Sequence, residues 1–118
     1  MKLRILLCLV FSIIFITGCS TRLGDFTVIS SKNVDLSNFS TQAESGSERV
    51  RGVDKGQIII LFPTKHPNIK DAIDIALEEN NAYMLSDTVL KYEWFYIPYI
   101  YGEEKYIAEG HPVLRKNN

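Results

Sequence analysis

Apolar and polar positions change their period several times along this chain, and each change marks a different expected element. Residues Ile5 to Ile16 form an almost unbroken apolar run. Phe26 to Ser30 (FTVIS) is short and β-branched, set between Gly24-Asp25 and Ser31-Lys32-Asn33, and predicts a first strand. Asn33 to Phe39 has apolar anchors without a sustained period, which predicts a loop or a short turn of helix. Ser40 to Gly56 (STQAESGSERVRGVDKG) is polar and rich in Ser, Gly and charge, so it predicts a mobile connection. Such a long connection serves either as a solvated surface loop or as a partner-docking loop that orders on binding. Gln57 to Pro63 (QIIILFP) is apolar almost throughout, as expected of a strand covered on both faces at the middle of a sheet.

The next change of period is to that of a helix. Ile69, Ala72, Ile73, Ala76 and Leu77 recur at i, i+3, i+4, i+7 and i+8, which predicts an amphipathic helix over 69–79. Asn68 is placed to cap it, Asp71 lies in the first turn where an acid suits the helix dipole, and Asn80-Asn81 supplies the stop. Asp87 to Ile97 then alternates, with Thr88, Leu90, Tyr92, Trp94 and Tyr96 on one face and Val89, Lys91, Glu93 and Phe95 on the other. Turn chemistry over 98–104 separates it from Lys105 to Val113, whose Pro112 fits an edge strand or its end. These elements predict an α+β fold: a small ββαββ domain over 26–113, one mostly antiparallel sheet with one helix on a face. The tail over 114–118 is polar, and no internal repeat is visible.

The N-terminal apolar run is too short to cross a bilayer as a helix, which needs about 20 residues. Lys2 and Arg4 before it and small residues after it fit a secretory signal peptide. The run ends in Ile16-Thr17-Gly18-Cys19. This resembles the lipobox of bacterial lipoproteins: an aliphatic residue, a small residue, Gly, then Cys. The resemblance implies a signal peptide over 1–18 cut before Cys19, a diacylglycerol on the Cys19 sulfur, and an acylated Cys19 amino group. It also implies membrane attachment through that lipid, since two or three acyl chains anchor stably where one does not. Ser20 after the Cys resembles the class sorted to the outer membrane, which for a Gram-negative host gives its periplasmic leaflet as the address. Residues 19–25 are then the lipidated Cys and a short tether, of which Ser20 to Asp25 spans at most about 20 Å when extended.

Removing residues 1–18 leaves 100 residues, enough for one domain with a modest core. It removes Lys2 and Arg4 and no acid, so the net charge falls from −1 to 11 − 14 = −3. That balance lacks the basic footprint of a nucleic-acid binder. Cys8 leaves with the signal peptide and Cys19 is taken by lipid, so neither a disulfide nor a Cys-ligated metal is expected. Catalytic chemistry is thin. His66 and His111 lie beside prolines without metal-ligand spacing, and there is no nucleophile elbow, P-loop or dinucleotide fingerprint. Ser45-Gly46-Ser47 has no base near it in sequence. Asp71, Asp74 and Glu78 read as a solvated helix face, and Glu103-Glu104 as a turn pair. The expectation is no enzyme, no metal and no cofactor.

The stretch YEWFYIPYIYGEEKY, residues 92–106, has seven aromatics in fifteen positions. Core or hairpin packing explains most such clusters. Yet one helix cannot cover both faces of a sheet, so part of the set Tyr92, Trp94, Phe95, Tyr96, Tyr99 and Tyr101 is left for an interface. A protein partner, another copy of the chain, or the nearby bilayer would each suit it. The stretches TRLGDFTVISSKNVDLS and DAIDIALEENNAYMLSD, with the aromatic hairpin after them, resemble small bacterial lipoproteins of the TRL-like kind. That resemblance implies a compact periplasm-facing domain and carries over no functional residue except Cys19. The function expected is a non-catalytic binding or structural module of the cell envelope. The alternative is a binder of small ligands or glycans, such as peptidoglycan fragments, with exposed Tyr and Trp as stacking platforms.

Overall fold

A computed structural model of the chain describes residues 1–14, 17–35, 37 and 48–114. Its elements are α1 (Lys2–Ile14), β1 (Thr17–Ile29), β2 (Val50–Ile59), β3 (Phe62–Pro63), α2 (Ile69–Glu79), β4 (Met84–Ile97) and β5 (Tyr101–Val113). The strands form one sheet in the order β1-β4-β5-β2-β3, antiparallel throughout. The fold is therefore α+β, one antiparallel five-stranded sheet and two helices. The fifth strand is β3, which the sequence did not separate from the run before it.

α2 occupies the stretch that the apolar spacing predicts. Ala72, Ile73, Ala76 and Leu77 are buried, and with Leu85, Leu90 and Ala108 they make the core. Burying a side chain of Leu77's size contributes about 1.5–3 kcal/mol. Asn68 caps the helix, its side-chain oxygen accepting the Lys70 N–H at 2.8 Å. Asp71 sits in the first turn, and Asn81 follows the helix at φ 50°. Asp74 is not purely solvated: it accepts from Lys70 Nζ at 2.6 Å and from the Ser31 hydroxyl.

α2 lies over β2 and β5, and it comes very close to β2. A Cβ built on Gly52 would stand 2.0 Å from the Ala72 carbonyl oxygen, and one on Gly56 would stand 2.0 Å from the Lys65 carbonyl oxygen. Between them the buried Asp54 accepts the Asn68 N–H at 2.8 Å and a bond from the Lys65 ammonium. Glycine, acid, glycine on one face of β2 thus seat the start of the helix.

Four expectations change. The turn expected over 98–104 is confined to 98–100, since β5 starts at Tyr101, and Glu103-Glu104 is a pair of strand residues rather than a turn pair. The polar stretch expected as a loop over 40–56 is a strand from Val50 onward, and residues 40–47 lie outside the described residues. The strand expected at the middle of the sheet, Gln57 to Pro63, is instead the end of β2, a turn and β3, second and last in from an edge. Ile59 to Phe62 are exposed rather than covered on both faces. The first strand starts at Thr17 rather than Phe26, so residues 19–25 are paired with β4. The tail over 115–118 and residues 36, 38 and 39 of the expected loop lie outside the described residues.

α1 is mostly apolar after Arg4, and its described side chains are exposed. No helix among the described residues is long and apolar enough to cross a membrane.

Candidate functional site

Alternation along β4 places Leu90, Tyr92, Trp94 and Tyr96 on the α2 face and Lys91, Glu93, Phe95 and Ile97 on the other. Since α2 lies over β2 and β5, the β4–β1 half of its own face is left open there. Trp94 is accordingly exposed, and its partner across the ladder is Cys19, also exposed and in no disulfide.

The six aromatics singled out from the sequence do not form one surface. Tyr92 is half-buried, its ring 5.0 Å from that of Tyr106, and Tyr106 packs on the core. Its hydroxyl donates to Glu104 Oε2 at 3.0 Å. Burial, reinforced by the Glu104 carboxylate, pushes the phenol up to about 12, so Tyr92 stays protonated and is no general base. His66 Nδ1 lies 3.5 Å from the other Glu104 oxygen. Phe95 and Tyr101 meet on the opposite face, ring centres 5.8 Å apart. Tyr96 donates to the Ile60 carbonyl, and Tyr99 projects from the β4–β5 turn. Only Trp94 and Tyr99 of the six are exposed.

A shallow pocket of about 350 Å³ opens on the sheet face opposite α2 and the Trp94 ring. Gly18 and Ser20 of β1, Glu93 and Phe95 of β4, and Glu103 and Lys105 of β5 line it, with Cys19 and Trp94 at its border. Sequence reasoning named Trp94, Phe95, Cys19 and Gly18 but not the charged set, because Glu93 and Lys105 become neighbours only through the β4–β5 register. Lys105 Nζ lies 3.1 Å from Glu93 Oε2 and 4.0 Å from Glu103 Oε1, and Ser20 Oγ donates to Glu93 at 3.4 Å. The Lys105 bond holds the Glu93 carboxyl below its usual range, so it is ionised at neutral pH. An ionised acid, an ammonium and one aromatic ring, that of Phe95, suit the binding of a small polar ligand better than proton donation.

Of the lipobox residues, Gly18 and Cys19 lie in β1 and Ile16 lies outside the described residues; Thr17 is placed by its backbone alone. His66 and His111 face different carboxylates, Glu104 and Asp87. Among the described residues no group of three His, Cys, Asp or Glu is arranged to hold a metal ion. Compared with known protein families, curated proteins and solved structures, the chain matches none.

Proposed function

We propose that this chain is a lipid-anchored, non-catalytic module of the bacterial cell envelope, held at the periplasmic leaflet of the outer membrane in a Gram-negative host. The observation that carries this reading is the apolar run ending in Ile16-Thr17-Gly18-Cys19, with the Cys19 thiol exposed on an edge strand where an acyl-transfer enzyme can reach it. Cleavage before Cys19 would remove α1 and leave a ββαββ core with β3 as a two-residue extension. The partner is a protein of the envelope or another copy of the chain, met through the open face of β1 and β4 around Trp94. The test is labelled palmitate fed to a Gram-negative bacterium expressing the full chain. Label is expected in the wild type and absent from Cys19→Ala; a wild type without label ends the lipoprotein reading.

The pocket between Glu93, Phe95 and Lys105 favours a second reading, a binder of small polar ligands such as peptidoglycan fragments. Sugars stack on aromatic rings and hydrogen-bond to flanking acids, and both are present there. Titrating such fragments into the detergent-solubilised full chain is expected to give a saturable heat of binding, and Glu93→Gln to weaken that response. No heat of binding with any fragment rejects this reading and leaves the anchor untouched.

A further inference from the structure

Two turns lie side by side at one end of the sheet. Ile60-Leu61 joins β2 to β3, and Pro98-Tyr99-Ile100 joins β4 to β5. The Ile60 N–H donates to the Ile100 carbonyl at 3.4 Å, and Tyr96 Oη donates to the Ile60 carbonyl at 2.6 Å, so the turns are tied together. Their side chains are not used by the protein. Phe62 is 76 % exposed and Tyr99 74 %, and Ile59, Ile60, Leu61 and Ile100 are at least 48 % exposed. No charged residue occurs from Gln57 to Thr64 or from Trp94 to Gly102. Contiguous apolar exposure of this kind marks a contact surface.

The backbone adds an independent sign. Ile60 and Tyr99 both have φ 61°, the left-handed region where turns ordinarily use Gly or Asn. A β-branched residue there is a true outlier. Glycine would make the same turn at lower cost, so a strained apolar tip points to a use outside the fold.

The N-terminal segment joins the sheet at this same end. Thr17 pairs with Tyr96 and Cys19 with Trp94, whereas Ile29 pairs with Leu85 at the far end. The far end, where β1 and β5 finish and β2 and β4 start, carries charge, including the Arg49–Asp87 ion pair at 2.6 Å. We infer that the Ile60-Leu61-Phe62 and Tyr99-Ile100 tips are a membrane-contacting edge, inserted in the interfacial region of the bilayer beside the N-terminal attachment. A lipid surface fits better than a protein partner because the membrane-directed segment enters the fold at these turns. Tyr96, Tyr99 and Tyr101 around them are of the type favoured where apolar meets wet. With neither turn carrying a basic residue, insertion rests on apolar contact and does not require anionic lipid.

This inference rests on the attachment proposed above, and one experiment separates the two. Full-length protein extracted from membranes is reconstituted in phosphatidylethanolamine–phosphatidylglycerol vesicles brominated on the acyl chains. A Trp94→Phe background carries Phe62→Trp, Ile100→Trp or, near the far end, Tyr83→Trp. Flotation with the vesicles reports attachment; tryptophan quenching by bromine reports insertion. Several-fold stronger quenching at residues 62 and 100 than at residue 83 is expected. Flotation with equal, weak quenching at all three overturns the inference and leaves the anchor standing. A blue-shifted but unquenched tip that depends on protein concentration assigns the edge to a second copy and also overturns it. Loss of flotation removes both.

Discussion

Asp54 holds the start of α2 by accepting from the Lys65 ammonium and from the Asn68 N–H. Burial pushes its carboxyl up, but the Lys65 ammonium and the Asn68 N–H outweigh burial and hold it below the usual range. Replacing it by Ala leaves the Asn68 N–H without its acceptor beside the core, a loss of about 1–3 kcal/mol. Urea unfolding of Asp54→Ala should show that loss as a lower midpoint at unchanged slope. Asp54→Asn keeps one acceptor oxygen and should lose less. An unchanged midpoint in Asp54→Ala would mean the helix is seated by Gly52 and the apolar contacts alone. The residue was invisible as a site in the sequence, where it reads as one more charge in RGVDKGQ.

The elements show why some of the fold was legible and some was not. α2 and the alternation of β4 could be read because their buried positions carry apolar side chains at the right period. β2 could not be read from Val50 to Gly56, because the face that meets α2 carries Gly52 and Gly56 where a strand normally shows large apolar residues. The close approach of the helix leaves no room for them, so the best-packed part of the strand looks like a loop. Gln57 to Pro63 misled in the opposite direction. Its apolar residues are not all core, since those at the turn are exposed beside the β4–β5 turn. Pocket neighbours such as Glu93 and Lys105 depend on register, which no local pattern records. The aromatics of β4 were placed on the right faces, yet their division into core, pocket border and turn followed from where α2 ends.

At the scale of the whole molecule, charged pairs tie strands and helix together and set a pH window. Asp54, Asp74 and Glu93 all have carboxyls held below the ordinary range, for Asp74 by the Lys70 ammonium first and then by Ser31. A folded value below the unfolded one means the unfolded chain takes up protons first. The stabilisation is full above about pH 4 and fades as pH falls through the folded values. Tyr92 acts at the other end: its folded value of about 12 lies above the unfolded one, so stability falls once pH exceeds about 10. Thermal unfolding followed across pH should show a plateau between these arms. Tyr92→Phe should flatten the alkaline arm and leave the acid arm in place; an unaltered alkaline arm would assign it to other groups.

Among the described residues β1 is an outer strand whose one neighbour is β4, so its ladder joins opposite halves of the chain. During synthesis or export the segment bearing Cys19 appears long before Tyr92, Trp94 and Tyr96 exist to receive it. Until they do, thirteen residues of strand have no partner in their own molecule. A chain cut short before β4 would keep Cys19 and lose the strand that holds it, leaving a ribbon with an open edge.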